Sequence, residues 1–169
     1  MMPLGPQLER LWEISPQEFG LLVAAYTFSA GFVGLFGSFF VDRFDRKHAL
    51  LFLYTGFLIG TFACALSNSY EMLLVARCAT GAFGGLLGAT VLSIVGDLTP
   101  LGKRSETMGV VMAAFSAASV FGVPFGLFLA NQFGWQAPFL FLGLIGIPVL
   151  GFNVKMMPNV KGHLANVKQ

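Results

Sequence analysis

Charge is what this sequence is short of. Asp, Glu, Lys and Arg make up 11% of it, and Thr107 to Val154 contains no Asp, Glu, Lys, Arg or His. A soluble domain of this size needs polar helix faces to cover itself, so that uncharged stretch excludes the soluble class. Cysteine and histidine are scarce as well, with two of each. Cys64 and Cys78 lie in apolar stretches without metal-ligand spacing and read as small buried hydrophobes, while His48 and His163 fall in a turn and in the tail as solvated side chains. No metal site is expected. There is no Ser-His-Asp set, metal-ligand cluster or phosphate-cradling glycine loop, so neither an enzyme nor a cofactor site is expected. Met1–Gly20 also lacks the basic segment and apolar core of a cleavable signal peptide.

Apolar residues are abundant: 56% of the chain is hydrophobic and its mean hydropathy is +0.76. They gather in five stretches, Phe19–Val41, Ala49–Ser67, Met72–Gly96, Thr107–Ala130 and Pro138–Val154. A hydrocarbon core of ~30 Å is crossed by about 20 apolar helical residues, so each stretch is long enough to span a bilayer. The last is the shortest and carries Pro148. The expectation is an all-α integral membrane protein. It has an outer segment over 1–18, a five-helix transmembrane bundle over 19–154 (19–41, 49–67, 72–96, 107–130, 138–154), and a cytoplasmic tail over 155–169.

Basic residues near helix ends are retained on the cytoplasmic side. Of the ten in the chain, Arg43, Arg46 and Lys47 occupy the first turn, Lys103 and Arg104 the third, and Lys155, Lys161 and Lys168 the tail. The opposite side has only Arg10, and the turns around Asn68–Glu71 and Asn131–Gln136 have no Lys or Arg. This predicts a multi-pass protein of the inner or plasma membrane with its N-terminus outside and its C-terminus in the cytoplasm. Trp12 and Trp135 both fall at the outer boundary, where an indole ring prefers to lie. The basic residues are thereby explained by topology, and no nucleic-acid partner is implied.

Helices in lipid associate by close backbone contact, which small residues four apart permit. The fourth stretch carries Ala114, Ala118, Gly122, Gly126 and Ala130; the third Gly81 and Gly85, with Gly84 and Gly88; the first Ala30, Gly34 and Ser38; the second Gly56, Gly60 and Cys64. A tight bundle is predicted. Between Gly122 and Gly126, Pro124 removes the hydrogen bond to the Val120 carbonyl, so the helix should bend there, as static shape or as a hinge.

Arg77 is the one ionisable side chain inside the apolar stretches. Placing Arg in a span costs about 2.5–3.5 kcal/mol at the bilayer centre. It either snorkels to the interface or is structurally paired, or it faces a water-filled pathway and meets an anionic substrate group or a carboxylate. Tyr26, Ser116 and Ser119 are the other polar candidates along such a pathway. No Asp or Glu lies deep in any stretch.

The turn Ser38-Phe39-Phe40-Val41-Asp42-Arg43-Phe44-Asp45-Arg46-Lys47 resembles the G-x-x-x-D-R-x-G-R-R signature between the second and third helices of the major facilitator superfamily, with Ser38 and Asp45 where glycines are expected. Arg77-Cys78-Ala79-Thr80-Gly81 is similar to its fourth-helix R-x-x-Q-G pattern, with Thr80 for Gln. Asp97-Leu98-Thr99-Pro100 and Arg104 resemble its next cytoplasmic turn. Gly122-Val123-Pro124-Phe125-Gly126 and Gly134-Trp135-Gln136-Ala137-Pro138-Phe139 resemble the sugar and drug efflux branch, with Gln136 where Arg is common. The resemblance covers nearly the whole chain.

It implies a partial N-terminal bundle, helices two to six of a twelve-helix transporter, lacking the first helix and the second half. It further implies an efflux-type permease moving a small organic solute by alternating access. In that setting Asp42 would pair with Arg46 and with Asp97, with Arg43 and Lys47 anchoring the turn and Arg104 as a sixth member, as a cytoplasmic latch. A non-transporting membrane scaffold or regulatory protein, using the small-residue faces, is the alternative.

Overall fold

The computed structural model describes residues 4–41 and 45–156, and among them every regular element is helical. Helices α1 (Gly5–Trp12), α2 (Pro16–Val41), α3 (Arg46–Ala65), α4 (Tyr70–Leu98), α5 (Arg104–Phe133) and α6 (Ala137–Met156) follow in order, with a 3-10 turn at Leu101–Lys103 before α5. The five from α2 to α6 contain stretches long and apolar enough to cross a membrane. Asp42, Arg43 and the tail beyond Met156 lie outside the described residues.

Helix ends follow local chemistry. Before α2, Ser15 and Glu18 form a reciprocal cap: the Glu18 carboxylate accepts from the Ser15 N–H at 2.7 Å, and the Ser15 hydroxyl accepts from the Glu18 N–H at 3.3 Å. Pro16 stands first in the helix, where its missing N–H costs nothing. Asp45 caps α3 by accepting from the Lys47 N–H at 3.0 Å, and Ser69 caps α4 by accepting from the Met72 N–H at 3.2 Å. The resemblance leads one to expect glycine at position 45; the aspartate there supplies a cap that glycine cannot. α5 ends on Gly134, whose φ of 92° favours a residue without a Cβ.

α4 is the keystone. On one side its Gly81 and Gly85 lie against the backbone of Tyr26 and Ala30 in α2; on another, Thr80 and Phe83 face Gly60 and Gly56 of α3. A methyl group added at Gly60 would stand 2.6 Å from Thr80 Oγ1, and one at Gly56 2.5 Å from the Phe83 ring. α3 in turn receives α6, where Gly143 would meet Phe62 at 2.7 Å and Gly146 lies against Leu58. These are the close approaches that small residues allow in lipid.

The fourth small-residue face departs from the expected tight bundle. Of Ala114, Ala118, Gly122, Gly126 and Ala130, only Ala130 is buried, and nothing lies within 4 Å of a methyl placed at Gly122 or Gly126. A flat face gains packing energy only when another helix occupies it, and no helix among the described residues does. α5 runs as one helix from Arg104 to Phe133 with Pro124 inside it.

At one end of the bundle α1 folds over α2. Leu4, Leu8, Phe19, Leu22, Leu73 and Trp135 belong to one buried cluster there. The Gln7 amide donates to Asn131 Oδ1 at 2.9 Å, and the Trp12 and Trp135 rings meet edge-on at 5.2 Å. This end gathers both turns that lack Lys and Arg.

Candidate functional site

α4 sets Arg77, Gly81 and Gly84 at positions i, i+4 and i+7, along one helix face. Because Gly81 has no side chain, the α2 backbone approaches α4 directly at Tyr26. Gly84 leaves room for the phenol: a methyl there would stand 2.6 Å from Tyr26 Oη. The tyrosine ring is thereby held beneath Arg77, whose Cζ lies 4.5 Å from the ring centroid. A desolvated guanidinium over an aromatic face gains up to about 2 kcal/mol, part of the cost of placing a cation in the span.

The rest of that cost is not met within the described residues. Arg77 has no hydrogen bond or ion pair there, and its Nε is buried without a partner. The neighbouring polar groups satisfy each other instead. Thr80 donates to the Ala76 carbonyl at 2.6 Å, and its hydroxyl lies 3.6 Å from the Cys64 sulfur.

Arg77 borders a cleft of about 330 Å³ between α4, α5 and α6. Gly122, Val123 and Gly126 of α5 and Phe139, Phe141 and Leu142 of α6 line its walls, and Leu4 contributes from the chain's start. Arg77 is the one charged side chain lining it. The two glycines flanking Pro124 therefore open the wall that faces the guanidinium. Ser116 and Ser119 do not line the cleft. They share a helix face with Val123 but lie nearer the start of α5, Ser119 about one turn and Ser116 about two turns before it, and the Ser116 and Ser119 hydroxyls donate to the Met112 and Phe115 carbonyls at 3.0 and 2.9 Å.

At the opposite end of the bundle Arg46 Nε lies 2.7 Å from Asp97 Oδ2, joining the start of α3 to the end of α4. This is an ion pair between a largely buried guanidinium and a partly exposed carboxylate. Arg104 turns back to donate from Nε to the Thr99 carbonyl at 3.3 Å, a cation at a helix C-terminus. Lys47 contributes its backbone N–H to the Asp45 cap. Two of the six residues expected at this turn, Asp42 and Arg43, lie outside the described residues.

Sequence reasoning singled out Arg77 and Tyr26 separately and did not pair them. It missed the α6 wall of the cleft altogether, because a helix apolar on every side gives no sign of which face turns inward. No group of three or more His, Cys, Asp or Glu able to hold a metal occurs among the described residues.

Comparison with known proteins adds the family. The profile of the Major Facilitator Superfamily matches residues 1–166. The chain is 38% identical, over 69% of its length and 20% of the relative's, to a vacuolar membrane amino acid uptake transporter of Schizosaccharomyces pombe. It is 29% identical to a multidrug resistance protein of the same yeast, over 86% of its length and 28% of the relative's. It is 26% identical to an uncharacterized transporter of this type in Bacillus subtilis, over 95% of its length and 41% of the relative's. The chain thus spans between 20% and 41% of the length of these relatives. Apolar helices long enough to cross a bilayer, glycine-mediated packing around α4, and a family match over nearly every residue lead to one conclusion: this chain belongs to the Major Facilitator Superfamily and is a multi-pass membrane protein.

Proposed function

We propose that the chain forms helices two to six of a secondary-active transporter, an efflux-type permease that moves a small organic solute by alternating access. It is read as a transporter and not as an enzyme. The observation that carries this is Arg77: an intramembrane cation with no hydrogen-bond or ionic partner among the described residues, bordering an otherwise uncharged cleft. Ionisable side chains in spans are retained where they serve a pathway. Relatives named for amino acid uptake and multidrug resistance support a small organic solute.

The uncovered face of α5 is assigned to a first helix and a second half of the whole transporter, in keeping with a chain that spans 20–41% of the length of these relatives. The Arg46–Asp97 pair, completed by Asp42, Arg43 and Lys47 and flanked by Arg104, is assigned to a cytoplasmic latch that biases one of two transport states. The chain then sits in the inner or plasma membrane with the α1 end outside and the tail inside.

The test is Arg77→Ala in a full-length transporter containing this sequence, assayed by solute flux in proteoliposomes. Loss of flux with normal insertion supports the reading. Loss of insertion alone, or unchanged flux, removes it. A scaffold role would leave flux absent in the unaltered protein as well.

A further inference from the structure

We infer that the open groove between α3 and α4 seats one acyl chain of a phospholipid whose headgroup carries a primary amine, with Glu71 and Ser69 holding that headgroup. On α3, Phe52, Gly56, Ile59, Gly60 and Ala63 share one helix face and line the groove, while Leu58 and Phe62, on another face, meet α6. No residue of α5 or α6 lines it, so it lies apart from the face assigned above to further helices. Where α3 and α4 touch, the floor is small: Gly60 and Ala76 are both buried. Ile59 and Val75 rise on either side, 65% and 70% exposed. A helix with its side chains is ~10–12 Å across and would rest on those rims, whereas a single hydrocarbon chain reaches the floor.

Length and chemistry point to the occupant. From Phe52 to Ala63 the groove follows α3 for about 16 Å at ~1.5 Å per residue, which matches one leaflet of a ~30 Å hydrocarbon core. The Phe52 and Phe83 rings, edge-on at 5.9 Å, stand at one end. At the other end, where α4 begins, Glu71 is the one charged side chain lining the groove. Its carboxylate meets no donor among the described residues, and Ser69, whose Oγ accepts from the Met72 N–H, keeps its O–H to donate. A carboxylate and a hydroxyl donor at one mouth complement the ammonium and the phosphate of an ethanolamine headgroup. A choline headgroup has the same charge but no N–H to give the carboxylate. The topology proposed above puts this mouth in the outer leaflet, although the headgroup preference does not depend on it.

The test is native mass spectrometry of this chain released from nanodiscs that hold dioleoylphosphatidylethanolamine and dioleoylphosphatidylcholine in equal amounts. The ethanolamine lipid should be retained about two- to fivefold above the choline lipid, the scale of one part-exposed ion pair. An N,N-dimethylated ethanolamine lipid, which keeps one N–H, should fall between them. Glu71→Gln should make retention of the two lipids equal while the total stays the same. Ala79 lines the groove and is exposed, so Ala79→Phe fills the groove and leaves Glu71 in place. It should lower the retained ethanolamine lipid while the circular dichroism stays that of the unaltered chain. Equal retention of the two lipids by the unaltered chain, an unchanged ratio in Glu71→Gln, or unchanged retention in Ala79→Phe would overturn the proposal. So would a dimer of the chain in place of bound lipid, made monomeric by Ala79→Phe, the result expected if the groove seats a second copy. None of these outcomes bears on the flux assay of Arg77→Ala, so the transport reading stands or falls separately.

Discussion

Replacing Gly81 by alanine should damage the bundle more than the same change almost anywhere on α5. The added methyl falls against the Tyr26 carbonyl oxygen and stands 2.9 Å from its Cα and 3.0 Å from its carbonyl carbon. Carbon pairs are most favourable at about 3.5–4.0 Å, so the methyl would stand roughly 0.5–1 Å inside that separation, on the repulsive side of the contact. Both partners are backbone, so no rotamer can relieve the clash, and α2 must withdraw from α4. Overpacking of this kind costs about 1–3 kcal/mol. Gly85→Ala should behave alike, since its methyl falls against the Ala30 carbonyl and 2.8 Å from the Ala30 Cα. Gly122→Ala and Gly126→Ala meet open space and should stay within about 0.5 kcal/mol. The assay is unfolding of the purified chain by a rising mole fraction of dodecyl sulfate in mixed micelles, followed by tryptophan fluorescence. Equal destabilisation by Gly81→Ala and Gly126→Ala would refute the packing argument.

Other consequences can be checked in the same system. Asp97→Asn removes the ionic partner of Arg46; because the pair is partly exposed, the expected loss is about 1 kcal/mol of stability, and a full-length transporter should lose flux with insertion intact. Ser15→Ala should destabilise by about 0.5–2 kcal/mol through the lost cap, visible as a lower unfolding midpoint and absent in Ser15→Asp. Leu73→Ala, at a fully buried position, should cost about 2–5 kcal/mol. Cysteine-accessibility labelling in intact cells should modify an introduced cysteine at Gln132 and spare one at Lys103; the reverse pattern would invert the proposed topology.

The five long helices were legible because a bilayer imposes a length and an apolar composition that five stretches satisfy. Helix starts at Ser15, Asp45 and Ser69 follow from ordinary capping chemistry. Which small residues would meet was less legible. Gly81 and Gly85 found backbone partners while Gly122 and Gly126 found none, although all four lie in the same four-residue spacing. Spacing makes a flat face, but the neighbour is chosen by how the connecting turns place distant helices. The pairing of Arg77 with Tyr26 was hidden for the same reason, since it depends on the register of α2 against α4. The all-apolar α6 gave no clue that Phe139, Phe141 and Leu142 would wall a cleft.

The backbone contact at Gly81 ties the aromatic ring to the cation above it. α2 cannot slide along α4 without carrying Tyr26 out from under Arg77, and α3 and α6 are keyed to the same axis by Gly60 and Gly143. Displacing any of these four helices along that axis would therefore break these contacts. α5, with Ala130 its one buried residue, is the element whose tilt breaks least, so a change in the cleft's width would be made by its wall and not by its charge.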